Sequence, residues 1–528
     1  MRFITFPTSP PSPAAAYFAL ALSGLLGTSA AYSMSDGASQ DGSQSADALG
    51  PPTAPGTAEL AEARAASLVE DEKAASIVRD LVALGPRMGG TVSGEAAAGY
   101  LTEAFQAMGL KTQRHLAPLK WCHEETDWSV TVRVDGAPVR SIERAWPLGY
   151  SPAGKGEAIE LTLEPETGKA LLSSTFRATP RGDDPCAVVL HDGSNTLDGE
   201  WPLCRPHGRR QRARVAVFGI PTPEGERLRA ELAAGHKVTL DWHLETTIKE
   251  ARPVSVVATL PAKGTEPTKA PSEDSADPSD KAPNDGAAIA RPHLLICAHG
   301  DSDSGGPGAN DNGSGVAIVL EMARAWTEAI KDGVLPQPPI EVRFVIWGSE
   351  IHSTKAYRDS DLGRGVLAVL NFDQAGYGTT GERLHVEPDD IEGNGPFVSI
   401  ATDVLRQYAG KPGFPKQWAT NKSLGGTDSY VFSGWKRFRE GKLPSVTLFT
   451  SAWGQPDEQP RTKGMPGESW RDRESVEMDY DVHYHSSGDT PENTTDLEPH
   501  NMGWCARVGL LTSLRYLARL TGPTPDVK

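Results

Sequence analysis

Apolar residues recur at helical spacing in two stretches of the early chain. In Lys73–Leu84 they are Ile77, Leu81 and Leu84, and in Gly94–Leu110 they are Tyr100, Leu101, Phe105 and Met108. Each set falls on one face of a helix. Between them Gly85-Pro-Arg-Met-Gly-Gly90 breaks the pattern. From Trp121 to about Glu250 the chain changes to short β-type runs such as Trp128–Val134, Cys186–Leu190 and Arg214–Phe218, separated by Gly, Pro and Asp. Val254–Leu260 then reads as a strand re-entering a main sheet. Beyond it strands and helices alternate: Leu294–Ala298, a helix over 314–331, Glu341–Trp347 and Val366–Phe372. This alternation predicts an α/β fold, a three-layer sandwich around a mostly parallel central sheet, with an inserted, mainly β domain. In such a fold functional groups belong at the carboxyl ends of the strands.

The apolar run Ala14–Leu26 follows Arg2 and a polar stretch and precedes the small residues Thr28-Ser-Ala-Ala31. That is the layout of an export signal over residues 1–31, and it is short of the roughly 20 residues that span a bilayer. Composition divides the rest into a flexible linker at 32–63, a first part of the main domain at 64–120, the insert at 121–250 and the remainder at 251–522. Residues 262–290, almost without apolar side chains, are expected to be disordered. No later run is long enough to cross a membrane, so the mature chain is expected to be exported without a transmembrane span. The formal charge of −17 argues against a nucleic-acid partner. The basic run Arg209–Arg214 is short and isolated and reads as a solvated loop. Of the five cysteines, Cys186 and Cys204 are the best candidates for a disulfide, and Cys297 reads as a core residue.

Several chemically active residues stand at strand ends and in Gly-rich turns. His299 follows Leu294–Ala298, and Asp301 comes two residues on, placed to orient an imidazole. Asp311 lies in Gly308-Ala-Asn-Asp-Asn-Gly-Ser-Gly315, Asp373 ends Val366–Phe372, and His485 lies in a loop before the last helix. Glu350 ends the strand "FVIWGSEI". Taken singly, such residues are most often turn or cap residues. Together they form a set of imidazoles and carboxylates suited to zinc, and a carboxylate shared by two zinc ions is the usual core of a cocatalytic hydrolase site.

The segments "AHGDS", "GANDNGSG", "WGSE", "LNFDQAG" and "YHSSGDTPEN" resemble, in order and spacing, those of the M28 zinc metallopeptidases. "LVALGPRMGG", "GGTDSYVF" and "LPSVTLFTSAW" extend the resemblance, which covers about residues 72–118 and 254–520. The β region resembles in position and pattern the protease-associated insert of some members. The resemblance implies a zinc-exopeptidase-like fold in which His299 and Asp373 bind one zinc, Asp311 bridges two, His485 binds the second and Asp301 supports His299. The family strand normally ends in a Glu-Glu pair, a general base followed by a ligand of the second zinc. By register Glu350 is the base, and Ile351 occupies the ligand position. Three outcomes stay open: His352 or water completes the second site, the enzyme works with one zinc, or Glu350 turns to the metal and catalysis is impaired. His352 and His483 are the nearby imidazoles, each also readable as a surface or hydrogen-bonded histidine. Asp428, in Gly425-Gly-Thr-Asp428, reads equally as part of the substrate pocket and as a helix cap.

What the resemblance implies is an exported zinc-dependent exopeptidase, an aminopeptidase acting on peptide or protein substrates, with two zinc ions and Glu350 as general base. The alternatives are a single-zinc enzyme like glutaminyl-peptide cyclotransferase and a catalytically impaired binding protein of the same fold. A Ser-His-Asp hydrolase is a poor rival, because no Gly-x-Ser-x-Gly elbow lies at a strand end.

Overall fold

The computed structural model describes residues 56–174, 186–194, 196, 198–206, 214–264, 291–302, 304–378, 383–422, 426–434, 442–453 and 480–521. The expected export signal, most of the linker, nearly all of the disordered loop and most of the basic run lie outside these residues. The last part of the expected linker, 57–63, is instead helical. Thr57–Ser67 form α1, an Ala- and Glu-rich segment of high helix propensity. It docks through buried Ala65 and Ala66 and through Glu62, whose carboxylate Oε2 lies 2.6 Å from Arg515. The two amphipathic stretches become α2 (Asp71–Val82) and α3 (Val92–Ala107), and the edge strand β1 (Lys111–Leu116) follows.

The chain then builds a second sheet. Its strands are β2 (Lys120–Val134), β3 (Arg140–Ser141), β4 (Trp146–Pro147), β5 (Gly154–Thr162), β6 (Ala170–Ser173), β7 (Val188–His191), β8 (Ala216–Gly219) and, after helix α4 (Thr222–Ala233), β9 (Val238–Ala251). They pair in the order β3-β2-β9-β5-β6-β7-β8-β4. The long β2–β9 ladder is antiparallel, while β5 to β8 pair in parallel. Val130, Leu190, Phe218, Leu228 and Leu240 fill a core of their own. The expected Cys186–Cys204 disulfide is absent, and both are buried thiols. Cys186 packs with Leu148, Leu171 and Val189 under this sheet, whereas Cys204 lies against Gly306.

The main sheet resumes with β10 (Val254–Leu260) and β11 (His293–His299), followed by α5 (Gly315–Lys331), β12 (Glu341–Trp347), α6 (His352–Arg358) and β13 (Val366–Phe372). Then come β14 (Arg383–Glu387), α7 (Gly395–Tyr408), β15 (Gln417–Thr420), α8 (Ser429–Ser433), β16 (Ser445–Phe449) and α9 (His500–Thr521). The order is β1-β10-β12-β11-β13-β16-β14-β15. The central β12, β11, β13 and β16 are parallel, and antiparallel pairings flank them on both sides. Alternate residues of each central strand point to opposite faces. Leu294, Ile296, Phe344 and Ile346 join the larger core with Phe105, Trp326 and Leu510. Leu295, Cys297, Val345 and Trp347 join Tyr357 and Tyr430 on the other face. This makes three layers of helix, sheet and helix. Because His299 pairs in register with Trp347 and Cys297 with Asn371, the loops carrying His299, Glu350 and Asp373 leave the sheet along one edge.

Candidate metal centre

His299 ends β11 with its ring fully buried. Its Nδ1 lies 2.9 Å from the main-chain carbonyl of Asp301. That bond directs Nε2 into the site, 3.4 Å from Asp311 Oδ1 and 3.5 Å from Asp373 Oδ1. Asp301 therefore orients the imidazole chiefly through its backbone. Its carboxylate Oδ1 is 3.5 Å from Nδ1 and accepts the Glu350 amide at 3.0 Å.

Asp311 sits in a wound turn, Ala309–Ser314, with a cis peptide joining it to Asn312. Buried Asp489 holds the turn, accepting the amides of Asn310 at 2.7 Å and Asp311 at 3.0 Å. Asn310 Nδ2 donates to Asp481 at 2.7 Å. Two glycines fit where nothing larger does: a Cβ on Gly308 would meet Ser302 at 2.6 Å and one on Gly315 would meet the Phe372 carbonyl at 2.4 Å. The two Asp311 oxygens face different imidazoles, Oδ1 toward His299 and Oδ2 toward His485 Nε2 at 3.2 Å. Asp373 accepts from Thr427 Oγ1 at 2.6 Å through Oδ2, while its buried Oδ1 has no hydrogen-bond partner.

The electrostatics are those of a cation site. Burial disfavours charge on His299, but Asp373, Asp301 and Asp311 outweigh it and raise its pKa well above the ordinary histidine value. Burial likewise pushes the Asp311 carboxyl up, yet His299 and His485 prevail and hold it far below the usual range. His299, Asp311 and Asp373 each offer a ligand atom within 4.8 Å of the others. The unsatisfied Asp373 oxygen and this N/O donor set fit zinc.

The Glu350 turn is fastened from behind. Asp428 Oδ1 accepts the Ile351 amide at 3.0 Å and also bonds Thr354 Oγ1. It makes no side-chain cap bond to α8, so its carboxylate serves the Glu350 turn and not the helix end. Burial raises the Asp428 pKa to about 7. Ile351, at φ 54°, packs its half-buried side chain toward the face of Val345 and Trp347. His352 is not brought to the cluster: its Nε2 is 2.9 Å from the Pro118 carbonyl. His483 stands edge-on to Trp201 and Tyr377.

Arg87, which the sequence reading passed over, ties the two ends of the ligand loop together. Its guanidinium donates to the carbonyls of Gly300 at 3.0 Å, Pro307 at 2.9 Å and Gly308 at 2.8 Å. Burial lowers its pKa to about 10 against the pull of Asp489, Asp301 and Asp311. Its signal was a charged residue inside a Gly-Pro break between two apolar helices, where a buried guanidinium needs several acceptors.

Residues 282–508 match the model of peptidase family M28. The match covers less than half of the chain, which is similar to that family over this segment. Among curated relatives, it is 29% identical over 243 residues to a probable lipoprotein aminopeptidase, LpqL, of Mycobacterium tuberculosis, covering 44% of each chain. It is 30% identical to an aminopeptidase of Pseudomonas aeruginosa over 39% of this chain and 36% of that one. The chain thus matches less than half the length of these two. With aminopeptidase YwaD of Bacillus subtilis it shares 25% identity over 71% of this chain and 74% of the relative. In fold it resembles an M28 peptidase precursor from Shewanella amazonensis, with TM-score 0.57 and 14% identity over 89% of this chain and 98% of the other. It also resembles BSAP, a zinc aminopeptidase from Bacillus subtilis, with TM-score 0.53 and 18% identity over 85% and 95% of the two chains. The strands that carry the M28 motifs are the central parallel ones.

Proposed function

We propose that this chain is a zinc-dependent exopeptidase of aminopeptidase type, exported, that hydrolyses amino-terminal peptide bonds. The observation that carries the reading is one buried carboxylate, Asp311, standing between two imidazoles with Asp373 beside the first. Relatives described as aminopeptidases support the substrate class. The apolar run Ala14–Leu26 supports export, and no helix among the described residues is long and apolar enough to cross a membrane.

In this reading His299, Asp373, Asp311 and His485 would hold the zinc, with the Asp311 carboxylate shared between the two imidazoles' sides of the site. Zinc, when bound, acidifies a water and polarises the scissile carbonyl. Glu350 takes the proton from the attacking water and returns it to the departing amine. Asp301 and Asp428 hold the main chain on either side of that carboxylate, through the amides of Glu350 and Ile351. A second position would draw only His485 and Asp311 from the named set, and would hold its zinc more weakly than the first. A second reading is favoured by Ile351 alone: a single-zinc cyclisation of amino-terminal glutamine.

The test is a comparison of substrates on the zinc-loaded chain. Aminoacyl-p-nitroanilides with a free amino group are expected to be hydrolysed and their N-acetyl forms refused. Cyclisation of a glutaminyl peptide without hydrolysis of the anilides would replace this reading with the second.

A further inference from the structure

On its outward path the chain crosses from the main sheet to the inserted one between β1 and β2. After β1 the Ala117 amide bonds the Pro253 carbonyl at 2.9 Å, and β2 opens at Lys120, paired with Ala251. The returning strand runs into β10, whose first residue, Val254, lies so close to Gly348 that a Cβ there would sit 2.2 Å from its carbonyl oxygen. Lys120 therefore stands over the turn that ends β12. Its ammonium donates to Ser349 Oγ at 2.6 Å.

For stability this contact is a poor use of a lysine. Fixing the four-carbon stem removes rotamer freedom. Among the described residues the ammonium has that one hydroxyl as its hydrogen-bond partner, and its charge acts on the Asp301 carboxylate only from beyond ion-pair distance. The turn it touches is held at each successive residue from a different element. Ser349 is held by Lys120 of β2, Glu350 by Asp301 after β11, and Ile351 by Asp428 before α8. Such fastening is needed, since a β-branched residue at φ 54° stays there only when its surroundings impose it.

We propose that Lys120 is a positioning residue: from the inserted sheet it fixes Ser349 and so sets where the Glu350 carboxylate stands. The inference rests on the reading of Glu350 as the base. It gains support from the other flank, where the same inserted region grips the loop of His485. The Cys204 amide bonds the His485 carbonyl at 2.7 Å, and the Ser487 amide bonds the Pro202 carbonyl at 2.9 Å. A bridge joins Leu203 to Ser486. The insert thus forms part of the wall of the centre and is not a detachable module.

The experiment compares wild type, Lys120→Met and Lys120→Arg as full chains. Steady-state kinetics on an aminoacyl-p-nitroanilide are measured beside zinc content, thermal midpoint and amide hydrogen exchange. Lys120→Met is expected to lower kcat about tenfold or more with KM, zinc content and thermal midpoint unchanged, and Lys120→Arg to recover most of the loss. Exchange over residues 344–358 is expected to quicken in Lys120→Met while that of α9 stays as in wild type. An unchanged kcat with unchanged exchange overturns the proposal. So does a raised KM at full kcat, which would assign Lys120 to substrate, and so does a loss of kcat that follows zinc content or thermal midpoint. If wild type turns over no substrate the exopeptidase reading fails by itself, and the exchange comparison still decides for or against Lys120.

Discussion

At position 351 the main chain is held at a positive φ of 54°, and its amide is tied to Asp428. In the proposed reading this is the position from which a third protein ligand would reach the second zinc, whereas the side chain present packs toward Val345 and Trp347. Isoleucine coordinates nothing, and its branched Cβ is the type least suited to this backbone region. In the same reading Glu350, one residue earlier, is the base, so a missing neighbouring carboxylate would weaken a metal position without removing the acid–base group. Ile351→Glu is therefore expected to tighten binding of the second zinc ion in a calorimetric titration. It also gives up roughly 1 kcal/mol of stability from the half-buried apolar contact. Zinc binding identical to wild type would show that position 351 does not face the metals.

At the scale of elements, the inserted sheet and the first helices are joined by a charged cap. Glu124 of β2 accepts the amides of Val92 at 3.0 Å and Ser93 at 2.7 Å, at the start of α3. Burial pushes this carboxyl up, but the bonds from Ser93 and Val92 outweigh it and hold its pKa below the ordinary glutamate value. Glu124→Ala leaves those amides without acceptors and is expected to cost about 1–2 kcal/mol, read as a shift of the urea midpoint. An unmoved midpoint would contradict the role of the cap. The elements themselves were unequally legible. Val254–Leu260, Glu341–Trp347 and Val366–Phe372 are continuous apolar runs because strands buried on both faces must be. The helix α1 and the edge strand β15 carry no such mark, since α1 is fixed by docking of Glu62 on Arg515 and Gln417–Thr420 are only partly buried. The convergence of His299, Asp311, Asp373 and His485 was readable from loop motifs. Arg87, Thr427 and Lys120 were not, because they act on partners remote in sequence, and Asp489 stood unremarked inside a quoted motif.

Across the whole molecule, buried histidines outside the metal cluster contribute to the response to acid, three of them strongly. Burial lowers the pKa of His191 and His293 to about 4 and that of His385 to about 3. The folded chain keeps them neutral while the unfolded chain protonates them below about 6.5. Their stabilising effect is complete above the unfolded value and is lost as pH falls toward the folded ones. Each contributes a slope of about 1.4 kcal/mol per pH unit in that window. Unfolding midpoints between pH 7 and 4.5 are expected to fall steeply in wild type and less steeply in His385→Phe, by about one histidine's slope. Parallel curves would contradict neutral burial of His385. The account as a whole rests on Glu350 acting beside a zinc site built from His299, Asp311, Asp373 and His485. Its most direct test is the turnover of a free aminoacyl-p-nitroanilide by zinc-loaded wild type and Glu350→Gln at equal zinc content. Retained zinc with turnover reduced by about 10²–10⁴-fold is the predicted result. Undiminished turnover by Glu350→Gln, or a wild-type chain that binds no zinc, would contradict the account.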